Sequence, residues 1–141
     1  MVTFHSVDSD GNKVIFSENF TRKDNRIIFN DKTSPNTQIE LTINDDMSVL
    51  FERRGNINMC LPLSLGEKTI GHYKNSMGLE FEMVLITTKL IVNSNKITIE
   101  YDLVVEDVKQ HHKLWILVNW YLMLLIFNIK HLKNILFLSK I

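Results

Sequence analysis

Two adjacent histidines, His111 and His112, are the most conspicuous candidates for chemistry in this chain of 141 residues. A zinc site needs several nitrogen or sulfur ligands converging on one point. Neighbouring residues of an extended strand point to opposite faces, so this pair does not readily share a metal. His5, His72 and His131 show no ligand spacing. Cys60 is the single cysteine. A nucleophilic thiol needs a base and an electropositive setting, and nothing in the sequence brings His72 into reach of it. The carboxylates Glu80, Glu82, Glu100 and Asp102 alternate with apolar residues, as solvated outer faces do. They are placed to pair with Lys89, Lys96 or Lys113 across strands, whereas acid/base catalysis needs two carboxylates in unlike environments. Arg53, Arg54, Lys68, Lys74 and Tyr73 would suit a phosphate or a single-stranded nucleic acid, but acidic residues are interleaved and stacking aromatics are few. No phosphate loop or nucleophile elbow is present. The expectation is therefore no enzyme, no metal, no cofactor and no nucleic-acid partner.

Two residues are singled out as weak candidates for binding a ligand. Arg53 shares a strand parity with Val49 and Phe51, and Tyr101 shares one with Ile99 and Leu103. If those faces turn inward, both polar groups sit at the lumen of a barrel, where they would orient a small molecule. The competing reading is a barrel filled by its own side chains. Eight Phe, six Met and two Trp supply the bulk for it.

The elements that position these residues are read from alternation. Leu79, Phe81, Met83 and Leu85 fall on one parity, against Glu80 and Glu82. Ile97, Ile99, Tyr101, Leu103 and Val105 oppose Thr98, Glu100 and Asp102, and Leu114, Ile116 and Val118 oppose Lys113. A period of two puts a greasy face inward and a polar face outward, and no helical period of 3.6 competes before Trp115. Residues 93–95 and, more weakly, Glu106 with Asp107 read as turns. These three runs form a meander. Earlier in the chain, alternation around Phe4, Phe16, Phe29, Ile39, Phe51, Met59 and Tyr73 is punctuated by turn signals. The whole gives about nine or ten strands at a spacing of about eight to twelve residues. A meander of that length exposes two edges unless it closes, so an up-and-down barrel is favoured over a sandwich.

Size and charge agree with one soluble domain. The chain carries 16 basic and 16 acidic residues, a balance that leaves no basic footprint for nucleic acid. One cysteine and no signal-peptide pattern at the N-terminus point to the cytoplasm.

The series Arg53-Arg54-Gly55-Asn56-Ile57-Asn58-Met59, Leu65-Gly66-Glu67-Lys68-Thr69 and Tyr73-Lys74-Asn75-Ser76-Met77-Gly78 resembles the bacterial YwiB-like family. Thr87-Thr88-Lys89-Leu90-Ile91-Val92 and Ile97-Thr98-Ile99-Glu100-Tyr101-Asp102-Leu103 extend the resemblance, which spans roughly residues 2 to 118. It implies a small calycin/lipocalin-like β-barrel of unknown function, with no catalytic residues to carry over. It also implies a chain that stops soon after Val118.

Here an apolar tail follows, WYLMLLIFNIKHLKNILFLSKI. A spanning helix needs about 20 apolar residues, and Lys130, His131, Lys133 and Asn134 interrupt this one. A helix packed on the barrel, or lying at an interface, is the alternative. A shifted reading frame in an AT-rich gene would read the same way. On that hypothesis residues 120–141 were not selected to complete the fold, and an intact frame in independent isolates refutes it. The expectation is all-β: an antiparallel up-and-down calycin/lipocalin-like β-barrel of about 8–10 strands over residues 1–119. An apolar, helical tail over 120–141 completes it. The expected function is binding a small, partly apolar ligand through Arg53 and Tyr101. The alternatives are a protein-interaction module with a filled barrel, and membrane association through the tail.

Overall fold

The computed structural model describes residues 1–93 and 95–118. Every regular element among them is a strand. In chain order they are β1 (Val2–Asp8), β2 (Lys13–Glu18), β3 (Phe20–Lys23), β4 (Arg26–Asn30), β5 (Gln38–Ile43), β6 (Val49–Arg54), β7 (Ile57–Leu63), β8 (Lys68–Asn75), β9 (Glu80–Val92), β10 (Lys96–Val105) and β11 (Val108–Val118). The sheet order is β2-β1-β11-β10-β9-β8-β7-β6-β5-β4-β3, and each adjacent pair is antiparallel. Pairing of β1 with β11, from Val2 opposite Val118 to Asp8 opposite His112, rolls the meander into a nearly closed barrel. Among the described strands, β2 and β3 at the two ends of this order share no ladder. Across that seam Phe16 and Phe29 bring their ring centroids to 6.2 Å.

The barrel is the all-β, up-and-down architecture that alternation predicts, with eleven strands where the sequence suggests about eight to ten. The run from Val14 to Thr21 accounts for part of the difference. It breaks at Asn19, so one predicted strand becomes β2 and β3. The helical tail and the boundary after residue 119 lie outside the described residues. Among the described residues no helix is long and apolar enough to cross a membrane.

Inward positions make one continuous core: Phe4, Phe29, Ile39, Leu41, Phe51, Leu61, Leu63, Leu85, Ile97, Ile99 and Ile116 are all buried. Phe4 stacks on Phe16 at 5.2 Å and lies 6.2 Å from both Phe29 and Phe51. Such ring pairs contribute beyond the area they bury. Leu79, expected on the inward face, precedes β9 and is exposed. Further along β9 a bulge shifts the register, with Glu100 opposite Lys89 but Tyr101 opposite Thr87. The extra residue, Thr88, switches the parity of β9, so Thr87 and Leu90 both turn toward the core.

Candidate functional site

Arg53 and Tyr101 meet at one end of the barrel. Each lies two residues beyond a buried core side chain on its own strand, Phe51 on β6 and Ile99 on β10. Together with His112 of β11 they line a cavity of about 220 Å³. Its apolar walls are Val14, Phe51, Met59, Leu103 and Leu114. Ser6, Asp8 and Asn12, at the β1–β2 turn, form the rim.

Tyr101 is only 5% exposed. Its ring stacks on His112 at 5.2 Å and 10°, as the register of β10 against β11 requires. Burial pushes its hydroxyl up to about 12, with Arg53 pulling the other way, so it stays protonated. Burial also pushes His112 below its ordinary value of 6.5; Asp8 opposes this and His111 reinforces it. His112 Nε2 is buried without a hydrogen-bond partner among the described residues.

Arg53 is fixed from behind. Its Nε lies 3.3 Å from Oδ2 of the fully buried Asp31 side chain. The contact is an ion pair without hydrogen-bond geometry, since both atoms lack a hydrogen-bond partner among the described residues. The guanidinium sits 6.0 Å from the Phe51 ring centroid. Asp31 is held in turn: its Oδ1 accepts from the Thr33 amide at 2.9 Å and from the Thr33 hydroxyl at 2.5 Å, and its own amide donates to Thr37 O at 2.9 Å. The 31–37 loop that presents it is pressed against Gly55. A Cβ built there would lie 1.9 Å from Asn36 O, and Gly55 has φ 144°, so that position is closed to other residues.

Asp31 and His112 escaped sequence reasoning as members of this site. The signal was available. Asp31 continues the parity of Ile27 and Phe29, and His112 that of Leu114 and Ile116, so each is a polar residue at an inward position.

His111, one residue away, turns outward as its parity requires. Its Nδ1 lies 2.7 Å from Asp102 Oδ1 and its Nε2 3.3 Å from Glu100 Oε1. These bonds, the one to Asp102 foremost, raise its pKa. Lys89 and Lys113 approach Glu100 at 3.7 and 3.6 Å, the cross-strand pairing expected of that carboxylate, whereas Glu82 lies 3.9 Å from His72. Lys109 approaches Asp102 at 3.4 Å. Arg54 also faces outward, held by Glu52 at 2.9 Å and Glu40 at 3.6 Å, so it does not converge with Arg53. The register places Cys60 opposite His72, but burial pushes the thiol up, away from an activated nucleophile. A wider concavity of about 750 Å³ lies over residues 30–38. It is open surface, and the one arginine lining it is Arg54, already paired.

Comparison with curated proteins gives no match. Among solved structures, the crystal structure of the ywiB protein from Bacillus subtilis matches with a TM-score of 0.59 at 22% identity, over 84% of this chain and 89% of that one. At that identity the likeness speaks for the fold alone. A family model described as "Domain of unknown function (DUF1934)" matches residues 7–116, which takes in β2 to β10 and most of β11. The chain thus belongs to this DUF1934 family, with the YwiB-like barrel as its fold.

Proposed function

We propose that this protein binds a small, partly apolar molecule at the Arg53 end of the barrel, and that it is a binding protein and not an enzyme. One observation carries the reading. Buried polar groups are almost always hydrogen-bonded, and exceptions call for a water, an ion or a ligand. Here Arg53, Tyr101 and His112 converge on one cavity with apolar walls, and His112 Nε2 is buried without a hydrogen-bond partner among the described residues. The Tyr101 hydroxyl, buried and protonated, borders the same space. Convergent polar groups in an apolar concavity are the usual form of a ligand site. At about 220 Å³ the space lies below the roughly 300 Å³ at which drug-sized ligands begin, so the ligand is smaller than those a wide-mouthed barrel carries. The free thiol of Cys60 supports a reducing compartment such as the cytoplasm.

Native mass spectrometry of the gently purified full chain tests this. A co-purifying mass that leaves on mild activation is expected. If only the bare chain is seen, and no member of a fragment library shifts the amide resonances of Arg53, Tyr101 or His112, the reading is wrong.

A further inference from the structure

We infer that the ligand of this mouth is a monocarboxylate with a compact branched or aromatic body. The inference rests on the binding reading above and narrows it to one chemical class. Arg53 has five N–H groups and no acceptor. Its Nε faces Asp31, and its two terminal amino groups donate to no group among the described residues. The Tyr101 hydroxyl has no hydrogen-bond partner among the described residues either. His112 is uncharged at neutral pH, and a neutral imidazole can complete the set as donor or acceptor.

The two carboxylates nearby are already engaged. Asp8 takes the amides of Asp10 and Asn12 on Oδ1, each at 2.9 Å, and the Asn12 side chain on Oδ2 at 3.0 Å. Its oxygens are thereby held by its own loop, although its charge still reaches His112. Asp31 Oδ1 is taken by Thr33, and Oδ2 lies on the Nε side of Arg53. The mouth thus offers the Arg53 fork and the Tyr101 hydroxyl as donors, with its remaining acceptors the neutral oxygens of Ser6 and Asn12. A guanidinium fork whose terminal groups are open matches the two oxygens of a carboxylate. A single fixed cation, with Asp31 behind it and Asp8 at the rim, suits one negative charge better than the two of a phosphate monoester.

Size and walls define the rest. About 220 Å³ corresponds to roughly seven waters at ~30 Å³ each, and so to roughly seven to nine non-hydrogen atoms. Val14, Phe51, Met59, Leu103 and Leu114 give that volume an apolar lining. A branched-chain or aryl carboxylate fits on both counts.

Calorimetry and amide-shift titration of the full chain with isovalerate and benzoate test the class. Benzamide, benzyl alcohol and inorganic phosphate serve as matched probes. The carboxylates are expected to bind at least about tenfold more tightly than the neutral analogues, since a hydrogen bond to a charged partner exceeds one to a neutral partner by about that factor. Tyr101→Phe, which removes a hydroxyl without a hydrogen-bond partner among the described residues, should weaken benzoate at least about fivefold while leaving the melting temperature near that of the parent. Arg53→Lys, which keeps the charge and loses the fork, should weaken it as well. Benzamide binding as tightly as benzoate, or phosphate binding in preference to both, overturns the carboxylate assignment and leaves the mouth as a binding site. Benzoate affinity unchanged in both variants also overturns it. If no probe binds and native mass spectrometry shows only the bare chain, the binding reading falls with it.

Discussion

On β6, β10 and β11 the inward side chain changes character within two residues. Phe51 is followed by Arg53, Ile99 by Tyr101, and Leu114 is preceded by His112. Toward the interior of the barrel, Phe4, Phe16, Phe29 and Phe51 fill the space with stacked rings. At the mouth, the same strands present a cation, a phenol and an imidazole around a cavity. The ladder does not distinguish the two regions, because backbone pairing continues through both. What differs is what each region contributes. Filled positions hold the fold together, whereas polar positions cost desolvation and return little stability until a partner arrives. The mutations that damage the fold should therefore be separable from those that damage binding.

The largest effect is expected in the packed region. Phe4 is buried and touches three other rings, so Phe4→Ala should cost about 3–5 kcal/mol in denaturant unfolding. Tyr101→Phe should cost less than about 0.5 kcal/mol by the same measurement, because its hydroxyl has no hydrogen-bond partner among the described residues. Equal losses in the two variants would erase the distinction between the regions.

Next comes Gly55, which supports the mouth without touching it. Gly55→Ala puts a Cβ against Asn36 O and forces a left-handed backbone on an L residue. A loss on the order of 2–3 kcal/mol is expected. The displaced 31–37 loop should carry Asp31 away from Arg53, so amide shifts in this variant should reach Arg53 itself. Shifts confined to residues 54–58 would show that the loop does not position the guanidinium. Asp31→Asn removes the charge behind Arg53 and keeps the side-chain shape. It should cost about 1–2 kcal/mol, since a partly buried cation loses its counter-charge.

A smaller effect, and a favourable one, is expected at the hairpin beside the mouth. Val105 pairs with Val108, and the two residues between them, Glu106 and Asp107, have φ 49° and 65°. Two consecutive left-handed residues make the turn that Asn-Gly supplies without strain. Replacing Glu106 by Asn and Asp107 by Gly should stabilise the barrel by about 0.5–1 kcal/mol. Benzoate affinity should not change, because neither residue lines the cavity. A change in affinity would mean that the tip of the hairpin takes part in binding.

The architecture was legible because a single period runs through nearly every strand. Ile97, Ile99 and Tyr101 announce the inward face without any tertiary information, and the same parity placed Arg53 and Tyr101 on inward faces. Local exceptions were not legible. The bulge at Thr88 depends on how β9 pairs with β10, and no residue of the Thr87-Thr88-Lys89 run signals it. The break at Asn19 interrupts an alternation that continues on either side. Asp31 was overlooked because its partner Arg53 is distant in sequence and meets it only when β4 and β6 flank β5. His112 was weighed as half of a histidine pair, and that pairing obscured its own parity.

The two histidines give the finest comparison, since one bond separates the residues and the sheet separates their side chains. His111 is bound by Asp102 and Glu100, so the fold holds its proton more tightly than the unfolded chain does. Its contribution is complete below its ordinary value of 6.5 and is lost as pH rises through the higher folded value. Burial makes the fold resist a proton on His112. As pH falls below 6.5 the unfolded chain takes that proton first, so this residue lowers stability toward acid. The opposing slopes should leave little net change near neutrality, a few tenths of a kcal/mol for each exposed or half-exposed group. Imidazole resonances followed by NMR across this range should show His111 titrating above 6.5 and His112 below it. His111→Gln should expose the His112 slope alone, with stability rising from pH 5 to 7. If both rings titrate together, the outer carboxylates and the inner cavity are not distinct environments, and the asymmetry that makes His112 part of the mouth disappears.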